Sequence, residues 1–150
     1  MKNYKTNICE YKIICKEVET SYKRVQVTSA KDVADYVRPF ISETLMAFET
    51  FMVLGLNKKN NTVGWGLVAQ GGISSVLVDM KVLFKMAIDM CATQIIVVHN
   101  HPAGTALPSA EDRALTKRVA NGCELLDIKL LDHVIITNND HYSFADHAEI

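Results

Sequence analysis

A chain of 150 residues, 49% hydrophobic and 22% charged, is long enough to bury one core without staples and has the balance of a soluble globular domain. The net charge of −1 and pI near 6.5 leave no basic excess of the kind a dedicated nucleic-acid binder carries, so direct nucleic-acid binding is not expected. No apolar run reaches bilayer-spanning length, Met1 to Lys16 lacks the apolar stretch of a signal peptide, and the four cysteines form no C-x-x-C pair; a reducing cytoplasmic setting without membrane contact is expected.

In chain order, Glu10–Val18 reads as a strand, and residues 1–27 as a slightly basic, strand-bearing arm with a solvated charged face. An exposed edge there could pair between chains and give a homo-oligomer. Residues 28–150 read as one domain. Thr28-Ser29 caps a helix through Val33, Ala34 and Val37, which Pro39 ends. Glu49–Leu56 and Thr62–Gln70, joined by the turn cluster 57–61, predict a β-hairpin closed by Gly71-Gly72. Asp79–Met90 predicts a helix with Val82, Leu83, Met86 and Met90 on its inner face. Thr93–Val98 is a central strand, and Ser109–Asn121 a helix that Gly122 stops. Ile128–Thr137 and Tyr142–Phe144 predict a terminal hairpin. Cys91 and Cys123 read as small buried hydrophobes, and Trp65 as a strand-face packing residue. Interleaved strands and helices define an α/β (α+β) class, a mixed sheet flanked by helices.

Chemistry concentrates in one segment. His99 and His101 stand two apart at a strand end, so both imidazoles can point to one side. With Ser109 as N-cap, Asp112 falls in the first helical turn, and its carboxylate reaches back toward the histidine loop. Two imidazoles and one carboxylate suit zinc and leave a fourth position for water, whose pKa zinc lowers from ~15.7 to about 7. The zinc site therefore lies at a strand end and a helix N-terminus. Ser109-x-x-Asp112 also has the form of a capping box, which needs no metal. The coincidence of imidazoles, carboxylate and helix start between residues 99 and 112 favours the metal. A general base must be a carboxylate near that water, and Glu43 and Glu49 both qualify. His133, in an apolar strand, reads as a core histidine or a support for a ligand; His141 and His147 read as solvent-exposed.

The pattern His99-x-His101, seven residues, Ser109, two residues, Asp112 matches the JAMM (JAB1/MPN) metalloprotease motif in its spacing. HNHPAG and LLDHVII (Leu130–Ile136) resemble the RadC branch of that superfamily, and the resemblance runs from about Ser29 to the C-terminus. It implies a single JAB/MPN-like domain with zinc on His99, His101 and Asp112, Glu49 as general acid/base and Ser109 as an oxyanion stabiliser. The implied activity is zinc-dependent hydrolysis of an amide bond in a peptide or protein substrate. The alternative is a non-catalytic MPN-like interaction module associated with DNA repair or recombination. The chain departs from the RadC pattern at Ala103, where serine is usual, and at Asp79-Met80-Lys81, where an HPR-like triplet stands. The helix-hairpin-helix region of long RadC proteins also has no counterpart in it.

Overall fold

The structure, a computed structural model, describes residues 23–43, 45–72 and 76–150. The strand expected over Glu10–Val18 lies outside the described residues. Among the described residues, five strands form one mixed sheet in the order β2-β1-β3-β4-β5. They are β1 (Thr50–Leu56), β2 (Thr62–Gln70), β3 (Gln94–Asn100), β4 (Lys129–Ile136) and β5 (His141–Ser143). β1 runs antiparallel to both β2 and β3, β3 and β4 are parallel, and β5 returns antiparallel on β4. The chain before Ala30 leans on the hairpin turn, where the Val27 amide donates to the Asn60 carbonyl at 2.9 Å.

Strand alternation divides the core into two layers. Met52, Leu54, Ile96, Val98, Val134 and Ile136 face the buried side of α1 (Ala30–Val37). Phe51, Val53, Ile95 and Val97 face α2 (Met80–Asp89) and α3 (Ala110–Leu125). β3 is buried along almost its whole length because it has neighbours on both edges and helices on both faces. Among the described residues no helix is long and apolar enough to cross a membrane.

The helix starts follow from side-chain caps. Ser29 and Asp32 form a capping box on α1, Asp79 accepts from the Lys81 amide at α2, and Ser109 with Asp112 forms a second capping box on α3. α1 ends at Val37 and passes into a 3₁₀ turn, Arg38–Ile41, that accommodates Pro39. The terminal hairpin forms as expected, and Trp65 stacks on Phe40 with ring centroids 4.6 Å apart.

Three expectations are corrected. Gly122 does not stop α3, which continues to Leu125 before Asp127 takes a positive φ of 53°. Its lack of a side chain serves packing instead, since a Cβ there would stand 2.4 Å from the Phe84 ring. Val82 does not belong to the inner face of α2, where Leu83 and Ala87 are the buried pair. Cys91 is exposed at the turn after α2, with φ of 50°, whereas Cys123 is buried as expected.

Gly122→Leu puts a good helix former into α3 but drives a side chain into Phe84. It is expected to lower unfolding free energy by about 1–3 kcal/mol in urea titrations. Full stability in that variant would contradict the close-packing role.

Candidate metal centre

The strand β3 carries its polar residues at its carboxyl end. His99 lies on the α2/α3 face with Ile95 and Val97, opposite Phe51 on β1. The His101 amide donates to the Ile136 carbonyl at 3.0 Å, so pairing with β4 persists past the strand and brings His101 round to the same face. The two Nε2 atoms are 2.9 Å apart. The His101 Nδ1–H donates to the Thr105 carbonyl at 2.8 Å, which orients that ring from the loop side.

Asp112 enters from the first turn of α3. Its amide donates to Ser109 Oγ at 3.0 Å, and its Oδ2 accepts from the Ser109 amide and hydroxyl, each at 2.7 Å. The capping box is therefore real, and the same carboxylate also faces both histidines. Asp112 Oδ1 lies 3.2 Å from His99 Nε2, and Oδ2 lies 3.5 Å from His101 Nε2.

Glu49 completes the group. Its amide donates to the Gly72 carbonyl at 2.9 Å, and its own carbonyl accepts from the Gly71 amide at 2.8 Å. The β1–β3 register pairs Phe51 with His99, so two residues further along Glu49 comes level with His101. One ligand atom from each of Glu49, His99, His101 and Asp112 lies within 4.8 Å of the others. Glu43, the other candidate carboxylate, is exposed on the preceding turn.

The donor set fits a divalent metal ion. Two imidazole nitrogens and two carboxylates converge closely enough to share one cation. Glu49 and Asp112 are both buried, and among the described residues neither pairs with a lysine or arginine. Burying two such carboxylates without a balancing cation is costly. Burial raises the Glu49 pKa, and the neighbouring imidazoles only partly offset it. For Asp112 burial works upward too, but hydrogen bonds with His101, His99 and Ser109 prevail and hold its carboxyl well below the usual range. The hydrogen bond with Asp112 raises the His101 pKa against the effect of burial.

The group opens on a pocket of about 920 Å³, whose apolar wall includes Val76, Val78, Leu107 and Leu115. Ser109 lines the same pocket. His141 is half-buried on β5, and the exposed His147 stacks on Tyr142 at 4.0 Å; neither belongs to the group.

Asn100 is a residue that motif spacing does not reveal. Alternation turns it to the opposite face from the histidines, where it is fully buried. Its Oδ1 accepts from the Thr50 amide at 2.8 Å, and its Nδ2 donates to the carbonyls of Leu45 and Phe48 at 2.8 and 2.9 Å. These bonds grip the backbone on both sides of Glu49. Thr116 escapes notice likewise, although a threonine in the stripe Asp112, Thr116, Val119, Cys123 on the buried face of α3 is a readable signal.

A mixed sheet with helices on both faces and a His/His/Asp/Glu group at the end of its central strand defines an α/β domain of the JAB type with a candidate metal centre. The model of the RadC-like JAB domain matches residues 27–149, and the chain belongs to that family. It is 39% identical over 128 residues to a UPF0758 protein of Flavobacterium johnsoniae, covering 85% of this chain and 55% of that one. A UPF0758 protein of Chlorobaculum tepidum is 39% identical over 124 residues, covering 83% and 55%. One of Staphylococcus carnosus is 40% identical over 124 residues, covering 82% and 54%. The chain thus spans about half the length of the curated relatives it matches.

Asn100→Ala would strand a buried amide and two carbonyls. A loss of about 3 kcal/mol is expected by urea unfolding, beyond what an exposed asparagine would show. A change below ~0.5 kcal/mol would remove Asn100 as the clamp of the Glu49 segment.

Proposed function

We propose that this domain is a zinc-dependent hydrolase of an amide bond, a peptidase or isopeptidase acting on a peptide or protein. The observation that carries the reading is the convergence of Glu49, His99, His101 and Asp112 within 4.8 Å at the wall of a pocket. Zinc held by His99, His101 and Asp112 would polarise a carbonyl and lower the pKa of a water from ~15.7 to about 7.

The chain's own residues would do the rest. Glu49, held beside those three side chains by its backbone bonds to Gly71 and Gly72, takes a proton from the attacking water and returns it to the leaving nitrogen. Burial raises its pKa, which suits a group that must both accept and release a proton. Ser109 now donates its hydroxyl hydrogen to Asp112; turned toward the pocket, it would meet the developing oxyanion. The apolar wall would limit water around the reacting atoms.

Elemental analysis is expected to find about one zinc per chain, lost in His101→Ala and Asp112→Ala. The cap lost in Asp112→Ala costs about 1 kcal/mol as well, so circular dichroism must show that variant folded. Glu49→Gln should retain zinc while its rate against peptide and isopeptide-linked substrates falls ~10²–10⁴-fold. A fully active Glu49→Gln enzyme would exclude the acid/base role. A wild type that takes up no zinc on reconstitution would leave Asp112 with its capping role alone.

A further inference from the structure

The buried side chains behind His99 form a hydrogen-bond chain that the proposed reaction does not use. His99 Nδ1 lies 2.8 Å from His133 Nε2, and His133 Nδ1 lies 2.6 Å from Thr116 Oγ1. Thr116 Oγ1 in turn lies 2.6 Å from the main-chain carbonyl of Asp112, one turn back along α3. The chain starts at the Asp112 backbone and ends at the imidazole facing the Asp112 carboxylate.

The direction of every bond follows from its first member. A carbonyl can only accept, so the single hydroxyl hydrogen of Thr116 is committed to Asp112. Thr116 Oγ1 can then only accept from His133, so the hydrogen is on His133 Nδ1. His133 is fully buried between aromatic rings, stacked on Phe144 at 4.7 Å and edge-on to Phe51 at 5.7 Å. It makes no hydrogen bond to a carboxylate among the described residues, so a second hydrogen would be a buried charge with no anion beside it. The ring is therefore neutral, with a lone pair on Nε2 that accepts from His99 Nδ1–H. In a neutral His99 ring Nε2 then carries no hydrogen, and it points at Asp112 Oδ1 and His101 Nε2.

We propose that Thr116 and His133 are positioning residues that lock His99 in the tautomer with a free Nε2, the form a metal ion requires. A neutral histidine whose distal nitrogen carries the hydrogen must shed or move it before it can ligate, and a fixed partner behind the ring removes that cost. The inference rests on the metal-centre reading for its purpose, but the tautomer itself can be read without metal.

Long-range ¹H–¹⁵N NMR of the metal-free protein, set above the range where imidazoles take a second proton, reads which nitrogen of each ring carries hydrogen. The wild type and Thr116→Ser, which keeps the hydroxyl, are expected to show His99 with hydrogen on Nδ1 and none on Nε2. Thr116→Val, nearly the same shape, should show His99 as a mixture. Zinc affinity, measured by competition with a chelating dye, should fall about 10–100-fold in Thr116→Val and stay near wild type in Thr116→Ser. Circular dichroism and thermal melts establish that each variant is folded. Hydrogen on His99 Nε2 in the wild type, or undiminished zinc affinity in folded Thr116→Val, overturns the proposal. If the wild type takes up no zinc, the proposed function fails, while the His99 tautomer still supports or overturns the chain.

Discussion

The alternation of side chains at the end of β3 is the constraint on which the site depends. His99 and His101 turn to the α3 face, and Asn100 between them turns to the α1 face. One face thereby receives two imidazoles and the other an amide that grips the chain around Glu49. A one-residue slip of β3 against β1 would exchange these roles and leave the imidazoles in the apolar layer beneath α1. Neighbours on both edges and apolar contacts on both faces hold that register.

The parallel connection from β3 through α3 to β4 supplies the remaining parts. It starts α3 directly after the histidine loop, so a carboxylate in its first turn faces the ring nitrogens. A helix N-terminus also stabilises that carboxylate, and the capping box fixes its rotamer. Capping and metal binding would therefore be compatible uses of Asp112 rather than rival explanations. β4 returns beside β3 and places His133 behind His99, where a histidine facing solvent could not hold a defined hydrogen position.

Much of this was legible in the residues. The hairpin, the caps at Ser29 and Ser109, and the buried run of β3 all follow from local pattern. Gly122 misled because a glycine near a helix end has two uses, and only the approach of Phe84 from another element distinguishes packing from termination. Val82 and Cys91 failed for a similar reason, since which apolar side chains α2 buries depends on where it docks. His99, His101 and Asp112 announce themselves by spacing. Glu49 does not, because its nearness to them arises from strand register, and Glu43 is chemically equal until the exposed turn separates them. Asn100 and Thr116 act through backbone groups distant in sequence, which no motif records.

The central claim is that these side chains form a nitrogen- and oxygen-donor metal centre. Zinc K-edge X-ray absorption on the zinc-loaded protein tests it directly, because the spectrum reports the ligand atoms themselves. The account predicts only nitrogen and oxygen neighbours near 2.0–2.1 Å, with the outer-shell scattering of two imidazoles. A sulfur neighbour at ~2.3 Å would place zinc on cysteine thiolates instead and contradict it.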